Sequence, residues 1–136
     1  MLRPAIMSGL LSDMLTSSLA NHSRTLTVNC CFNGHPDLVV AGAEGVEVKT
    51  TRKKGGAVDT HGAREQWTCV FVYAVDNETE PARDRSPMSF MEVYLGHVTQ
   101  ADFRKNARGE LGTRTAALHQ EGIKKLRENW IYKSSA

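Results

Sequence analysis

The chain of 136 residues contains no long hydrophobic run. No window holds 18 consecutive apolar residues, so we expect no membrane span. Polar residues soon interrupt the apolar stretch behind Arg3, and we expect no signal peptide. With 40% hydrophobic and 24% charged residues, the composition fits a single domain over 1–136 that buries its own core.

Cysteine is scarce, and its spacing suits neither cross-linking nor zinc binding. The three cysteines are Cys30, Cys31 and Cys69, and an odd number with an adjacent pair makes a poor disulfide framework. No Cys-x-x-Cys occurs, and the histidines lack metal-ligand spacing. We therefore expect a reduced, cytoplasmic protein in which Cys30 and Cys69 are small core residues.

A strong excess of one charge is also missing, since the net charge is +2. From Thr99 onward, however, eight basic residues face four acidic ones. This segment could lie against a phosphate backbone, although the charges alone favour a solvated helix face. The chain has no glycine-rich phosphate loop and no Gly-x-Ser-x-Gly motif.

The first half of the chain shows one helical pattern followed by alternating patterns. Apolar residues recur at helical spacing over 5–20. Alternation over 25–32 predicts a strand, and Asn33-Gly34 then favours a tight hairpin turn. Two more strands are predicted over 36–40 and 46–51, joined by a turn over 41–45. The result is an antiparallel three-stranded meander.

The second half predicts further elements around the same sheet. Residues 57–66 favour a short helix, 68–75 a strand buried on both faces, 76–87 an exposed mobile loop and 88–98 another strand. Thr99 and Asp102 resemble a capping box that opens a helix of about two turns. A final helix is predicted over 113–130, with Leu118, Ile123, Leu126 and Trp130 facing inward. This order predicts an α+β fold with a mixed sheet flanked by helices.

Three residues of the meander carry the chemistry that matters most. Glu47 and Lys49 are two positions apart on one strand, so their side chains leave the same face. Asp37 opens the neighbouring antiparallel strand, which brings a second carboxylate to the same end of the sheet. Two carboxylates suit Mg²⁺, and a lysine beside them can orient a water molecule or offset negative charge. Carboxylates within about 6 Å of each other would support such a site.

The motif Pro36-Asp37 followed by Glu47-Val48-Lys49 resembles the PD-(D/E)xK nuclease superfamily, which includes many restriction endonucleases. The resemblance covers residues 5–75 and implies a restriction-endonuclease-like core of helix, meander, helix and strand. It implies DNA phosphodiester hydrolysis with Mg²⁺, or Mn²⁺ as a substitute, leaving a 5′-phosphate. Asp37, Glu47 and the Val48 carbonyl would be metal ligands, and Lys49 would position the attacking water.

Several further residues are weaker candidates for this site. Gln66 lies where branches of the family place a polar residue on the helix after the lysine. His35 and the basic residues Arg52, Lys53 and Lys54 could contact DNA phosphates. Asp13, the acid of the first helix, lies off the apolar stripe and is a poor candidate.

The partners implied are DNA and a second copy of the chain. Cutting both strands needs two active sites, so we expect a homodimer, with Trp67, Phe90, Met91 and Tyr94 available for its interface. The loop over 76–87 could recognise DNA. The alternatives left open are a Holliday-junction resolvase or repair nuclease, a catalytically silent DNA-binding or assembly module, and an unrelated α+β protein whose hairpin matches by chance.

Overall fold

The chain folds around one mixed β-sheet, in the α+β class that the sequence predicts. A computed structural model describes residues 4–22, 28–30, 37–40, 45–52, 56–60, 62–113 and 115–135. The helices and strands are α1 (Pro4–His22), β1 (Val28–Cys30), β2 (Leu38–Val40), β3 (Gly45–Thr51), β4 (Asp59–Thr60), β5 (Gln66–Ala74), β6 (Ser89–Val98), β7 (Ala116–Ala117), α2 (Gln120–Glu128) and β8 (Trp130–Lys133).

The main sheet has six strands in the order β1-β2-β3-β5-β6-β8. Strands β1, β2 and β3 form the predicted antiparallel meander. Strand β5 then pairs in parallel with β3, whereas β6 and β8 continue the sheet antiparallel. The parallel pair explains why a long connection separates β3 from β5, because parallel neighbours cannot be joined by a tight turn.

Helix α1 covers one face of the sheet. Its residues Leu15 and Leu19 pack against a cluster that includes Leu38 of β2 and Val48 of β3. Because successive strand residues point to opposite faces, the burial of Val48 under α1 turns Glu47 and Lys49 to the other face. The remaining buried members of this cluster are Cys69, Phe71 and Val93.

The opposite face carries a second core beneath α2 and a small two-stranded sheet. Strands β4 and β7 form this sheet, and their pairing joins residues 59–60 to residues 116–117. Helix α2 packs its apolar side against β6. The buried residues of this core are Val58, Val70, Val72, Tyr94, Val98, Phe103, Ala116, Leu118, Ile123 and Leu126.

Three predicted helices are wrong in their extent or type, and two of them are the helices expected over 57–66 and 113–130. The described residues of 57–66 contain strand β4 and bends instead of a helix, because residues 59–60 pair with β7. The predicted helix over 113–130 is shorter, since α2 spans Gln120–Glu128 with strands on either side. Trp130 consequently belongs to β8 and is 51% exposed, whereas Leu118, Ile123 and Leu126 are buried as expected.

Other expectations have mixed outcomes. The strands predicted over 68–75 and 88–98 are present as β5 and β6, and Cys69 is a buried free thiol. The loop over 76–87 is largely exposed, and the Asp76 carboxylate accepts three of its backbone N–H groups. The turns at 33–34 and 41–44 lie outside the described residues, as does the Cys30 side chain.

None of the helices in the described part of the chain is both long and apolar enough to cross a membrane.

The capping box at Thr99 opens one short 3-10 turn, Gln100–Asp102, instead of the predicted two-turn helix. The Asp102 carboxylate accepts hydrogen bonds from the Thr99 amide, at 2.8 Å, and from Lys125 of α2. The His119 ring caps α2 by accepting the Gly122 amide at 3.0 Å. A Cβ atom at Gly122 would lie 2.6 Å from the Asp102 carbonyl oxygen, so this close approach requires glycine. These contacts fasten α2 to the end of β6.

We expect Asp102→Asn to lower the free energy of unfolding near neutral pH by about 1 kcal/mol, since it loses a charged capping acceptor. Burial raises the pKa of Asp102, but the hydrogen bonds from Lys125 and Thr99 outweigh it and hold the pKa below the ordinary 3.8. A group whose pKa is lowered by folding stabilises the folded state above pH 3.8, the ordinary pKa. This stabilisation is lost as the pH falls through the pKa of Asp102 in the folded state.

Urea unfolding at about pH 7 and about pH 3 checks this expectation, because the gap between wild type and variant should narrow at the lower pH. Asp84→Asn, at an exposed acid, is the control and should change neither curve. A gap of the same size at both pH values would contradict the charged role of Asp102.

Candidate active site

The candidate site begins where the β2–β3 ladder ends. The last described pair toward this end is Leu38 with Val46, and Asp37 directly precedes Leu38. The Asp37 carboxylate accepts the Val48 amide through Oδ2 at 2.8 Å. The side chain of Asp37 thus takes the place of a backbone carbonyl and is held against β3.

Glu47 lies opposite Asp37 and is almost completely buried, with 1% of the residue exposed. Its Oε1 accepts the backbone amide of Asp37 at 3.2 Å, while the Asp37 carboxylate accepts the amide of the residue after Glu47. Lys49 places its Nζ 3.4 Å from Glu47 Oε2, with its side chain 19% exposed. The three residues predicted from sequence are therefore brought together on one face of the sheet.

The pKa of Asp37 reflects this crowding. Burial of the carboxyl group raises its pKa above the ordinary value, and so do the negative charge of Glu47 and a hydrogen bond between the two side chains. The Val48 amide and the Lys49 ammonium act in the opposite direction and do not cancel the increase. The two carboxyl groups therefore lie side by side, as two ligands of one ion would.

The backbone of Val48 adds a third oxygen to this surface. In a strand, the N–H and C=O groups of one residue point to the same side. Because the Val48 amide points toward Asp37, its carbonyl points to the same edge, beyond the first residue of β2. The candidate ligand set is therefore two carboxylates and one carbonyl.

This oxygen set fits Mg²⁺, which is commonly bound by one or two carboxylates while water and phosphate oxygens complete its shell. It would not form a closed all-protein site. Within the described residues, no group of three or more His, Cys, Asp or Glu side chains is arranged to hold a metal ion.

Gln66 lies on a strand, so its predicted place on a helix is wrong. It opens β5 and precedes Thr68, which is the cross-strand partner of Glu47. Residues two apart on a strand share a face, so Gln66 lies on the same face as Glu47. Sequence reasoning missed Thr68, although a hydroxyl group inside a run of apolar strand residues was a visible signal.

The remaining candidates lie at the margin of the site or outside the described residues. Arg52 is exposed and lies directly after β3. Burial raises the pKa of Tyr73 on β5, and the positive charge of Arg52 partly opposes this increase. Asp13 is exposed on α1, as expected. His35, Lys53 and Lys54 are outside the described residues.

Neither a protein-family model nor a curated protein nor a solved structure matches the chain significantly.

We expect Asp37→Asn to raise the melting temperature of the metal-free protein near neutral pH. The asparagine oxygen can still accept the Val48 amide, while the repulsion between two adjacent carboxylates is removed. With Mg²⁺ added, the wild type should gain thermal stability and the variant should gain less, since a ligand stabilises the state that binds it.

Thermal melts in chelator and in Mg²⁺ measure both effects. Asp59→Asn is the matched control, because Asp59 is an exposed acid on the small sheet and should alter neither melt. Asp37→Asn protein that melts below the wild type in chelator would show that the charged pair stabilises the fold on its own.

Proposed function

We propose that this protein is a metal-dependent DNA endonuclease with a restriction-endonuclease-like core, centred on Asp37, Glu47 and Lys49. The observation that carries the proposal is that Asp37, directly before β2, donates its amide to Glu47 Oε1 at 3.2 Å, while Lys49 Nζ lies 3.4 Å from Glu47 Oε2. The order of helix, meander and following strand supports it, because the PD-(D/E)xK motif lies on the second and third strands of such a core. The crossover in this chain contains β4 where the family has a helix, which is a departure from the pattern.

Each residue has a distinct role in the proposed reaction. Asp37, Glu47 and the Val48 carbonyl would hold the divalent cation, which supplies charge neutralisation at the phosphate and a more acidic bound water. Lys49, whose side chain is partly exposed, would orient the attacking water and stabilise negative charge through its ammonium group. Gln66, at the start of β5, would lie at the border of the same face and contact the substrate.

DNA would approach the edge of the sheet where Asp37 is half-buried and therefore reachable. Arg52 lies three residues beyond Lys49, which is about 10 Å along an extended chain. In a regular strand an odd spacing would turn Arg52 to the opposite face, but β3 ends at Thr51 and the chain bends at Arg52. Its exposed guanidinium group would then contact a phosphate next to the one that is cut. We extend the same role to His35, Lys53 and Lys54 from their positions in the sequence.

A homodimer remains part of the proposal, because the part of the chain that the structure describes contains a single such site. Of the residues expected at its interface, Trp67 and Met91 are 39% and 37% exposed, Phe90 is half-buried and Tyr94 is completely buried. Tyr94 is therefore a core residue and cannot contribute an interface surface. A reducing, cytoplasmic compartment is also part of the proposal, and Cys69 would remain there as the buried free thiol that the structure describes.

The test is cleavage of supercoiled plasmid and of a four-way junction in Mg²⁺, in Mn²⁺ and in chelator. We expect metal-dependent cutting that Lys49→Ala reduces by at least about 100-fold, as removal of a positioned proton-transfer group does. Lys133→Ala is the matched control, because it removes an equal charge from β8, three strands away from β3. Sedimentation of the active protein measures its oligomeric state. A monomer is expected to nick one DNA strand, whereas a dimer is expected to break both strands.

The substrate pattern separates the alternatives. Discrete plasmid fragments indicate a restriction-type enzyme, whereas cutting of the junction alone indicates a resolvase. A folded wild type that cuts neither substrate overturns the nuclease proposal and leaves a catalytically silent DNA-binding or assembly module.

A further inference from the structure

Thr68 holds a hydroxyl group that the fold buries without using. The residue is completely buried, and its Oγ1 has no hydrogen-bond partner in the described structure. A buried polar group without a partner costs folding free energy. Val70 and Val72 occupy the next two positions on the same face of β5, and both are buried in the core. A valine at position 68 would therefore satisfy the packing of this strand.

The neighbour of Thr68 explains why a hydroxyl group belongs there. Thr68 is paired with Glu47 in the parallel ladder between β3 and β5, so both side chains leave the same face of the sheet. Adjacent strands are about 4.8 Å apart. A rotation of Thr68 about χ1 moves Oγ1 among three staggered positions without moving the backbone.

We propose that Thr68 is a positioning residue of the active site, whose hydroxyl group donates to the Glu47 carboxylate when Glu47 binds a divalent cation. This inference rests on the proposed function. In the structure, the Lys49 ammonium lies 3.4 Å from Glu47 Oε2. A bound cation repels that ammonium, and a neutral donor on the next strand can then hold the carboxylate without adding positive charge. Such supporting hydrogen bonds orient metal ligands in proteins.

The chain offers a matched threonine with the opposite property. Thr60 is equally buried, but its hydroxyl group donates to the Gly62 carbonyl at 2.7 Å and lies 3.3 Å from the Ala116 carbonyl. Thr60→Val removes a hydrogen bond that the fold uses and should lower the melting temperature. Thr68→Val removes no such bond, so in chelator its melting temperature should equal or exceed that of the wild type.

The experiment compares Thr68→Val, Thr68→Ser and Thr60→Val with the wild type. Mg²⁺ titration by calorimetry and by thermal shift should show affinity about 10- to 100-fold weaker in Thr68→Val, the usual loss for an outer-shell partner. Thr68→Ser keeps the hydroxyl group and should bind Mg²⁺ almost as the wild type does. Cleavage of plasmid should follow the same order.

If the wild type binds Mg²⁺ and cuts DNA, two results would overturn the role of Thr68 without affecting the proposed function. One is unchanged Mg²⁺ affinity in Thr68→Val. The other is a loss of melting temperature in Thr68→Val as large as that in Thr60→Val, which would show an ordinary structural hydroxyl. A wild type that neither binds Mg²⁺ nor cuts DNA would instead overturn the proposed function, and this inference with it.

Discussion

The hydrogen bond from the Val48 amide to the Asp37 carboxylate is the interaction on which the candidate site depends. It extends the β2–β3 ladder by one step, with a side chain acting in place of a backbone carbonyl. The same bond fixes the register that turns Glu47 and Lys49 away from α1. A slip of one residue would exchange the two faces of β3 and bury the charged side chains beneath the helix. The geometry of the site therefore depends directly on the register of the meander.

The charges of the candidate site are unfavourable for folding. Glu47 is buried, Asp37 lies in contact with it, and burial together with their shared negative charge raises the pKa of Asp37. The apolar cluster under α1 offsets this cost, because it holds β3 in place through Val48. Groups that are unfavourable for folding and remain in place are typical of functional sites. The unpartnered hydroxyl group of Thr68 belongs to the same pattern.

Features with a local cause could be predicted from the sequence. The alternation around Val48, the helical spacing in α1 and the apolar run of β5 each specify an element within a few residues. The predictions are wrong where pairing between strands that are far apart in the sequence determines the secondary structure. The segment over 57–66 forms β4 because residues 59–60 pair with residues 116–117, and the same pairing shortens the last helix at its start. The helix predicted at Gln66 is wrong because Gln66 pairs with Val98 of β6, far along the chain. Asp37, Glu47 and Lys49, in contrast, lie within a single hairpin.

The parallel pairing of β3 with β5 gives the site properties that the hairpin alone would lack. It places Thr68 beside Glu47 and Val70 beside Lys49. Val70 is completely buried, so one flank of the lysine is apolar and excludes water. An ion pair is stronger where the surroundings are less polar, so this flank favours the position of Lys49 toward Glu47 over one in open solvent. The hairpin supplies the charged groups, and the strand that arrives later in the chain determines how strongly they act on each other.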